Sequence, residues 1–137
     1  MITTTTHLNF RGTARQALEF YHQVFGGQIM LVTHAQTYPD FAPAEAEHVA
    51  YGQVQSPEGF SVMAFDVPAS RPYSPGESAV FVSVRGTDAD ELNRYWNGLA
   101  EGATIIQPIA PSAWTPLYGM LKDKFGITWV LDIAVAY

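Results

Sequence analysis

Two stretches of the chain place apolar side chains at the spacing of an amphipathic helix. In the first, Ala14, Leu18 and Tyr21 recur at intervals of four and three residues, and the pattern predicts a helix over Thr13–Phe25. In the second, which predicts a helix over Asp88–Ala100, the apolar stripe has four members: Leu92, Tyr95, Trp96 and Leu99.

Both predicted helices carry start signals, and a glycine follows each of them. Thr13 and Gln16 have the spacing of a capping box, in which each side chain accepts a hydrogen bond from the backbone N–H of the other residue. The second helix is expected to begin after Thr87 or Asp88.

The chain contains two copies of one unit. The helices repeat at a distance of 74 residues, as in Leu18 and Leu92, whereas a later block repeats at 67 residues, as in Tyr51 and Tyr118. The shorter distance means that the first copy contains about seven extra residues, which we assign to the proline-containing loop Gln36–Glu47.

Each copy is predicted to consist of a strand, a helix and three further strands, as alternating apolar positions indicate. The strands of the first copy are Thr4–Phe10, Gln28–His34, His48–Gln55 and Phe60–Asp66. Those of the second copy are Ser78–Val84, Thr104–Ile109, Leu117–Lys122 and Ile127–Ile133. We therefore predict one domain over residues 1–137, with a first module over 4–67, a proline-rich linker of little order, and a second module over 78–137.

The two predicted first strands follow the 74-residue distance, so that Leu8 corresponds to Val82 and Phe10 to Val84. We expect these apolar residues to lie under the helices. A single bulge in the first strand would reverse this assignment, because successive side chains of a strand point to opposite faces.

A duplicated chain of this size resembles the vicinal oxygen chelate superfamily, which includes glyoxalase I, bleomycin-resistance proteins and extradiol dioxygenases. Two segments resemble its PhnB-like branch: Phe20-Tyr21-x-x-Val24-Phe25-Gly26, and Trp114-x-x-x-Tyr118-Gly119. The resemblance implies an α+β fold in which two βαβββ modules form a curled mixed sheet with a central cleft and helices on the outer faces. Some members of this branch carry a demethylubiquinone methyltransferase label, but no glycine-rich cofactor loop follows the first strand here.

In the metal-dependent enzymes of the superfamily, four strands each supply a His, Glu or Gln to a divalent ion. Matching these positions to the present sequence places them at Thr5 or Thr6, Met63, Ala79 and Val130. Ala, Met and Val are not ligands for a hard or borderline divalent ion, and Thr is a poor one. We therefore expect neither the metal site nor another cofactor. A relocated metal site would use His34, His48 and Asp40.

Side chains that alternate with the buried ones should line the cleft. The candidate ligand-binding residues are His7, Asn9, Met63, Phe65, Phe81, Ser83, Trp114, Tyr118, Val130 and Asp132. Asp132 could fix the tautomer of His7 and leave one imidazole nitrogen for a ligand. Trp114 and Tyr118 form an aromatic lid on the cleft or, alternatively, cover a sheet edge or the seam of a dimer. No catalytic residue is identified.

The other titratable residues are expected to lie at the surface. His22 is a partly exposed helix residue, and His34 and His48 are solvated or act as caps beside the long loop. Glu19 and Glu45 are expected to be solvated.

The composition excludes several classes of protein and of binding partner. Apolar residues make up 47% of the chain, with 8 Phe, 7 Tyr and 3 Trp, which excludes a disordered chain. The absence of cysteine excludes disulfides and thiol nucleophiles. A net charge of −6, with seven Lys and Arg residues in total, argues against a nucleic-acid partner.

No apolar run approaches the ~20 residues of a membrane span, and no secretory signal is recognised. We expect a soluble cytoplasmic domain with no membrane partner.

Three functions stay open. The first is a metal-free protein that binds a small, partly apolar molecule in the cleft. The second is a lyase or dioxygenase of glyoxalase type with a relocated metal site, so whether the protein is an enzyme is undecided. The third is a structural or interaction module whose cleft is filled by side chains. Since family members usually pair, we also expect a homodimer.

Overall fold

Each copy of the repeat forms its own compact unit in the computed structural model, which describes residues 1–135. Unit 1 is Met1–Pro75 and unit 2 is Gly76–Tyr137. Both units are α+β, with one long helix and one four-stranded mixed sheet, so the predicted fold class is confirmed.

Unit 1 contains four strands, one long helix and two short helical turns. In chain order these are β1 (Thr6–Phe10), α1 (Ala14–Phe25), β2 (Gln28–Thr33), α2 (His34–Thr37), a 3-10 turn (Pro43–Glu45), β3 (Val49–Gln55) and β4 (Ser61–Asp66). The sheet has the order β1-β4-β3-β2, in which β1 runs parallel to β4 and the other pairs are antiparallel.

Unit 2 repeats this topology without the two short turns. Its elements are β5 (Val82–Gly86), α3 (Ala89–Leu99), β6 (Thr104–Ala110), β7 (Tyr118–Lys122) and β8 (Thr128–Ile133). The sheet order β5-β8-β7-β6 has the same parallel pair at one end. No helix within residues 1–135 is both long and apolar enough to cross a membrane.

The long helices bury the apolar stripes that the sequence predicts. Leu18 and Tyr21 of α1 are fully buried, and so are Leu92 and Leu99 of α3. The close packing of the helices on the sheets explains why both copies have a glycine at the equivalent position of their third strand. A Cβ on Gly52 would collide with Leu18 Cδ1, and one on Gly119 would lie 2.9 Å from the Trp96 ring.

The predicted capping box at Thr13 is wrong. The Thr13 side chain makes no capping hydrogen bond. Instead Asp66 Oδ1, at the end of β4, accepts from the backbone N–H groups of Gly12 (2.6 Å) and Ala14 (3.1 Å). Asp66 Oδ2 accepts from Val49 N–H at 2.9 Å. A carboxylate bonds more of the unpaired N–H groups at a helix start than one hydroxyl does, and so this distant residue replaces the local cap.

The predicted loop Gln36–Glu47 contains ordered turns, and a capping box does occur at its start. Gln36 N–H donates to Thr33 Oγ1 at 3.3 Å, and Thr33 N–H donates to Gln36 Oε1 at 2.9 Å. This box starts α2 and turns the chain back toward β4. In unit 2, Asp88 rather than Thr87 is the cap, since its Oδ1 accepts from Asp90 N–H at 2.9 Å.

The correspondence predicted for the first strands is displaced by two residues. Val67 N–H donates to Phe10 O, and the equivalent Ala134 N–H donates to Gly86 O. Phe10 therefore corresponds to Gly86 rather than to Val84. The connection between strand and helix is shorter in unit 2, which allows this shift. Because two residues make one full pleat, the faces of the strand are unchanged.

Replacing Asp66 by Ala should destabilise the protein far more than replacing Thr13 by Ala. Asp66→Ala leaves three backbone N–H groups without an acceptor, which should lower the free energy of unfolding by ~3 kcal/mol or more. Thr13→Ala should cost less than ~0.5 kcal/mol, as for other substitutions that break no contact. Urea denaturation followed by circular dichroism measures both. Equal losses in the two variants would contradict the assignment of Asp66 as the cap.

Candidate functional site

The first strand of unit 1 turns polar side chains away from the helix. Leu8 is 7% exposed and Phe10 is 3% exposed, and both lie under α1. His7 and Asn9 alternate with them and are exposed on the other side of the sheet, which we call the open face. The predicted orientation of this strand is therefore confirmed, and no bulge reverses it.

Cross-strand pairing arranges the open face of unit 1 in two rows. In the first row, His7 lies beside Met63, Met63 beside Gln53, and Gln53 beside Met30. In the second row, Asn9 lies beside Phe65, and Tyr51 lies beside Val32. Four predicted site residues thus share one surface: His7, Asn9, Met63 and Phe65.

The imidazole of His7 is held by two neighbours. His7 Nδ1 lies 3.0 Å from Asn9 Oδ1, and the ring meets the edge of Phe65 with centroids 5.1 Å apart and an interplanar angle of 73°. Because an amide oxygen only accepts hydrogen bonds, Nδ1 carries the proton. In the neutral ring, Nε2 is then an acceptor directed away from Asn9. Asn9 thus has the tautomer-fixing role that the sequence analysis gave to Asp132.

Two open-face residues that the sequence analysis missed form a second polar group. Tyr51 O–H donates to Gln53 Oε1 at 3.1 Å. The bond occupies the carbonyl end of the Gln53 amide, and the NH₂ end is the donor that this side chain presents. The alternation of apolar and polar residues in the predicted third strand could have identified both residues.

The linker is ordered where it meets this face, contrary to the expectation of little order. Arg11 Nη2 donates to the backbone carbonyls of Pro68 and Arg71, and its guanidinium lies 5.2 Å from the Tyr73 ring centroid. Tyr73 O–H donates to Asn9 O at 3.3 Å. Residues 67–73 are thereby fastened beside the end of β1.

The open face of unit 2 carries an ion pair. Arg85 Nε donates to Asp132 Oδ1 at 3.1 Å, and Asp132 lies beside Tyr118 in the sheet. The second polar position of β5 is Ser83, which lies beside Val130. Within their own units, His7 bonds Asn9 and Asp132 bonds Arg85.

The two other aromatic candidates lie outside the strands. Phe81 precedes β5 and is partly exposed. Trp114 lies between β6 and β7, with 62% of its surface exposed and its ring edge-on to Tyr118 at 5.2 Å between centroids. The predicted placement of Phe81 within a strand is therefore wrong, because β5 begins one residue later.

The superfamily's metal positions do not offer a ligand set. Met63 and Val130 are on the open faces of their sheets, while Thr5 precedes β1 and Ala79 precedes β5. The two-residue shift makes Phe81, rather than Ala79, the counterpart of Thr5. With either Ala79 or Phe81 in the set, the four positions supply no nitrogen or carboxylate ligand, so these residues do not fit a divalent ion.

Of the two histidines beside α2, His34 is buried, which corrects the expectation that it is solvated, and His48 is half-buried. His34 is 1% exposed, and its Nε2 donates to the carbonyl of Asp66 at 3.1 Å. Its ring lies 5.9 Å from that of His48. Asp40, the third residue of the relocated metal site, is exposed.

Glu45 is also buried rather than solvated. Its Oε2 accepts from Ala69 N–H at 3.0 Å and lies 3.8 Å from His48 Nδ1, which has no hydrogen-bond partner. Among residues 1–135, no three His, Asp or Glu side chains are grouped so that they could hold a metal ion.

Two βαβββ units, each with its helix on one face of a mixed sheet, define the fold of the vicinal oxygen chelate superfamily. The family described as 3-demethylubiquinone-9 3-methyltransferase matches residues 2–132, and the chain belongs to this PhnB-like family.

Solved structures agree with this assignment. Protein PA1353 from Pseudomonas aeruginosa is 27% identical, with a TM-score of 0.86 over 97% of this chain and 98% of that one. A putative 3-demethylubiquinone-9 3-methyltransferase, PhnB protein, from Bacillus cereus is 24% identical, with a TM-score of 0.72 over 97% and 100%. A glyoxylase/bleomycin resistance protein/dioxygenase domain from Frankia is 12% identical, with a TM-score of 0.68 over 98% of both chains. The last two show the shared fold.

The His7 tautomer should depend on Asn9. In the wild type, ring ¹⁵N chemical shifts near pH 8 should show the proton on Nδ1, because Asn9 Oδ1 accepts it. In Asn9→Leu the acceptor is lost, and the two tautomers should exchange. Asn93→Leu, in α3 of unit 2, should leave the His7 shifts unchanged. An Nε2–H tautomer in the wild type would contradict the arrangement.

Proposed function

We propose that this protein binds a small, partly apolar molecule on the open face of its sheets and does so without the superfamily's metal. The observation that carries the proposal is the grouping of Met63 and Phe65 with a fixed imidazole on the face of the sheet opposite α1. Ligand sites combine apolar contact area with a few placed polar groups, and this face has both.

The chemistry of the four metal positions supports the metal-free part of the proposal. The four positions hold a threonine, a methionine, a valine and, depending on the matching of the first strands, an alanine or a phenylalanine. These side chains cannot complete the coordination of a divalent ion. The buried imidazole of His34 is also engaged in the fold, since His34 donates its Nε2 proton to a backbone carbonyl.

The family's name refers to methyl transfer, but the start of α1 in this chain is already occupied. A glycine-rich turn that binds a cofactor's charged groups uses the free N–H groups at a helix start. Here those of Gly12 and Ala14 bond Asp66. This occupancy favours a binding role over a reaction that uses such a loop.

We also propose that the protein acts in the cytoplasm as a homodimer. β2 and β6 each end a sheet, and they expose apolar side chains: Met30 at 48%, Ile105 at 43% and Ile106 at 51%. Uncovered apolar edge strands are a liability that association removes. A second copy of the chain is the partner we infer.

A screen by thermal unfolding tests the binding proposal. Small neutral aromatic compounds should raise the melting temperature, because a ligand that binds only the folded state stabilises it. Met63→Glu, which places a charge in the middle of the face, should abolish these shifts. Gln23→Glu, on the exposed side of α1, should preserve them. EDTA should not change the melting temperature. Shifts that survive in Met63→Glu, or a drop with EDTA, would contradict the proposal.

Sedimentation velocity tests the homodimer. The wild type should sediment as a dimer at tens of micromolar. Ile106→Asp should weaken the association, because it places a charge on the apolar edge strand β6. Glu58→Ala, at the exposed hairpin between β3 and β4, serves as the control. A monomer in the wild type would refute the dimer.

A further inference from the structure

The strand residues that form the open face of unit 1 carry no formally charged side chain, although the whole protein has a net charge of −6. Arg11 follows β1 at the edge of this face, and its guanidinium bonds the linker carbonyls of Pro68 and Arg71. All residues of this unit are described, and the pairing of its four strands defines the face. Its residues are polar but neutral, aromatic or apolar: His7, Asn9, Gln28, Met30, Val32, Tyr51, Gln53, Gln55, Ser61, Met63 and Phe65. A face of this kind cannot neutralise a carboxylate or an ammonium group, and it penalises their desolvation.

One end of the first row is a hydrogen-bond acceptor. Asn9 Oδ1 holds the proton of His7 on Nδ1, at 3.0 Å between the heavy atoms. In the neutral imidazole, Nε2 then has a lone pair and no proton. A ligand that meets this atom must supply an N–H or O–H donor.

The other polar position of the row is a donor. Gln53 Oε1 accepts from Tyr51 O–H at 3.1 Å, which leaves the Gln53 NH₂ group to meet a ligand. A ligand that meets this group must supply an acceptor.

Met63 separates the two polar side chains. His7 and Gln53 lie one strand to either side of it in the same row. With strands about 4.8 Å apart, the backbones of His7 and Gln53 are roughly 10 Å apart. The side chain of Met63 lies between them, and the ring of Phe65 lies in the next row. A flat apolar body of two fused rings fits this span.

We propose that the open face of unit 1 selects a neutral, flat aromatic molecule with a hydrogen-bond donor at one end and an acceptor at the other. The donor bonds His7 Nε2, the acceptor bonds the Gln53 NH₂ group, and the aromatic body lies over Met63. This inference rests on the proposed binding function and adds to it the chemical class and the orientation of the ligand.

Four bicyclic probes test the inference by NMR titration of the full chain, followed at the Met63 methyl group. 6-Hydroxyquinoline has both groups, 6-methoxyquinoline lacks the donor, 2-naphthol lacks the acceptor, and quinoline-6-carboxylate is an anion. We expect 6-hydroxyquinoline to bind the wild type about two- to tenfold more tightly than either neutral analogue, as one neutral hydrogen bond allows. The carboxylate should bind most weakly.

Matched variants assign each preference to one residue. His7→Phe should abolish the preference for hydroxyl over methoxyl and keep the preference for quinoline over naphthol. Gln53→Leu should do the opposite. Gln23→Leu, on α1, should preserve both preferences. Circular dichroism spectra confirm that each variant is folded before it is titrated.

The outcomes distinguish a failure of this inference from a failure of the proposed binding function. If all the neutral probes shift Met63 with equal affinity, or if both variants lose both preferences together, the donor–acceptor assignment is wrong and the binding function stands. If no probe perturbs Met63 up to its solubility limit, the proposed binding face is wrong as well.

Discussion

A single buried carboxylate joins three segments of unit 1. Asp66 is 1% exposed and accepts hydrogen bonds from backbone N–H groups before α1, at its first turn and at the start of β3. It also lies beside Phe10, the last residue of β1. One side chain at the end of β4 therefore holds both the start of α1 and the start of β3. This arrangement keeps Leu8 and Phe10 under the helix, and so His7 and Asn9 project from the opposite face.

Unit 2 reaches the same fold with different polar anchors. The counterpart of Asp66 is Ile133, and the helix is capped locally by Asp88. A buried carboxylate instead lies in the last hairpin, where Asp123 accepts from Phe125 N–H, Ile127 N–H and Trp129 Nε1–H. The open faces differ accordingly, since unit 1 has the His7–Asn9 hydrogen bond, whereas unit 2 has the Arg85–Asp132 ion pair. The duplication conserves the topology, while each unit acquired its own surface chemistry.

Local patterns in the sequence predicted the features that depend on residues close together in the chain. The stripe through Leu18 and the alternation around Leu8 identified the helix and the strand faces. The same patterns missed α2 because four residues are too few to show helical spacing. They placed a cap at Thr13 because sequence spacing does not reveal a carboxylate 53 residues away that accepts from the N–H groups of Gly12 and Ala14. The site was only half predicted, since placing Gln53 beside Met63 requires the pairing between strands.

The most direct test of this account is the exchange of three backbone amide hydrogens. In the wild type, the amides of Gly12, Ala14 and Val49 should exchange slowly, like those inside the sheet, because Asp66 holds all three. In Asp66→Ala, under conditions where the protein stays folded, all three should lose protection together. The amide of Gln36, bonded to Thr33, should keep its rate. Fast exchange of the three amides in the wild type, or protection that persists without the carboxylate, would contradict the central role of Asp66.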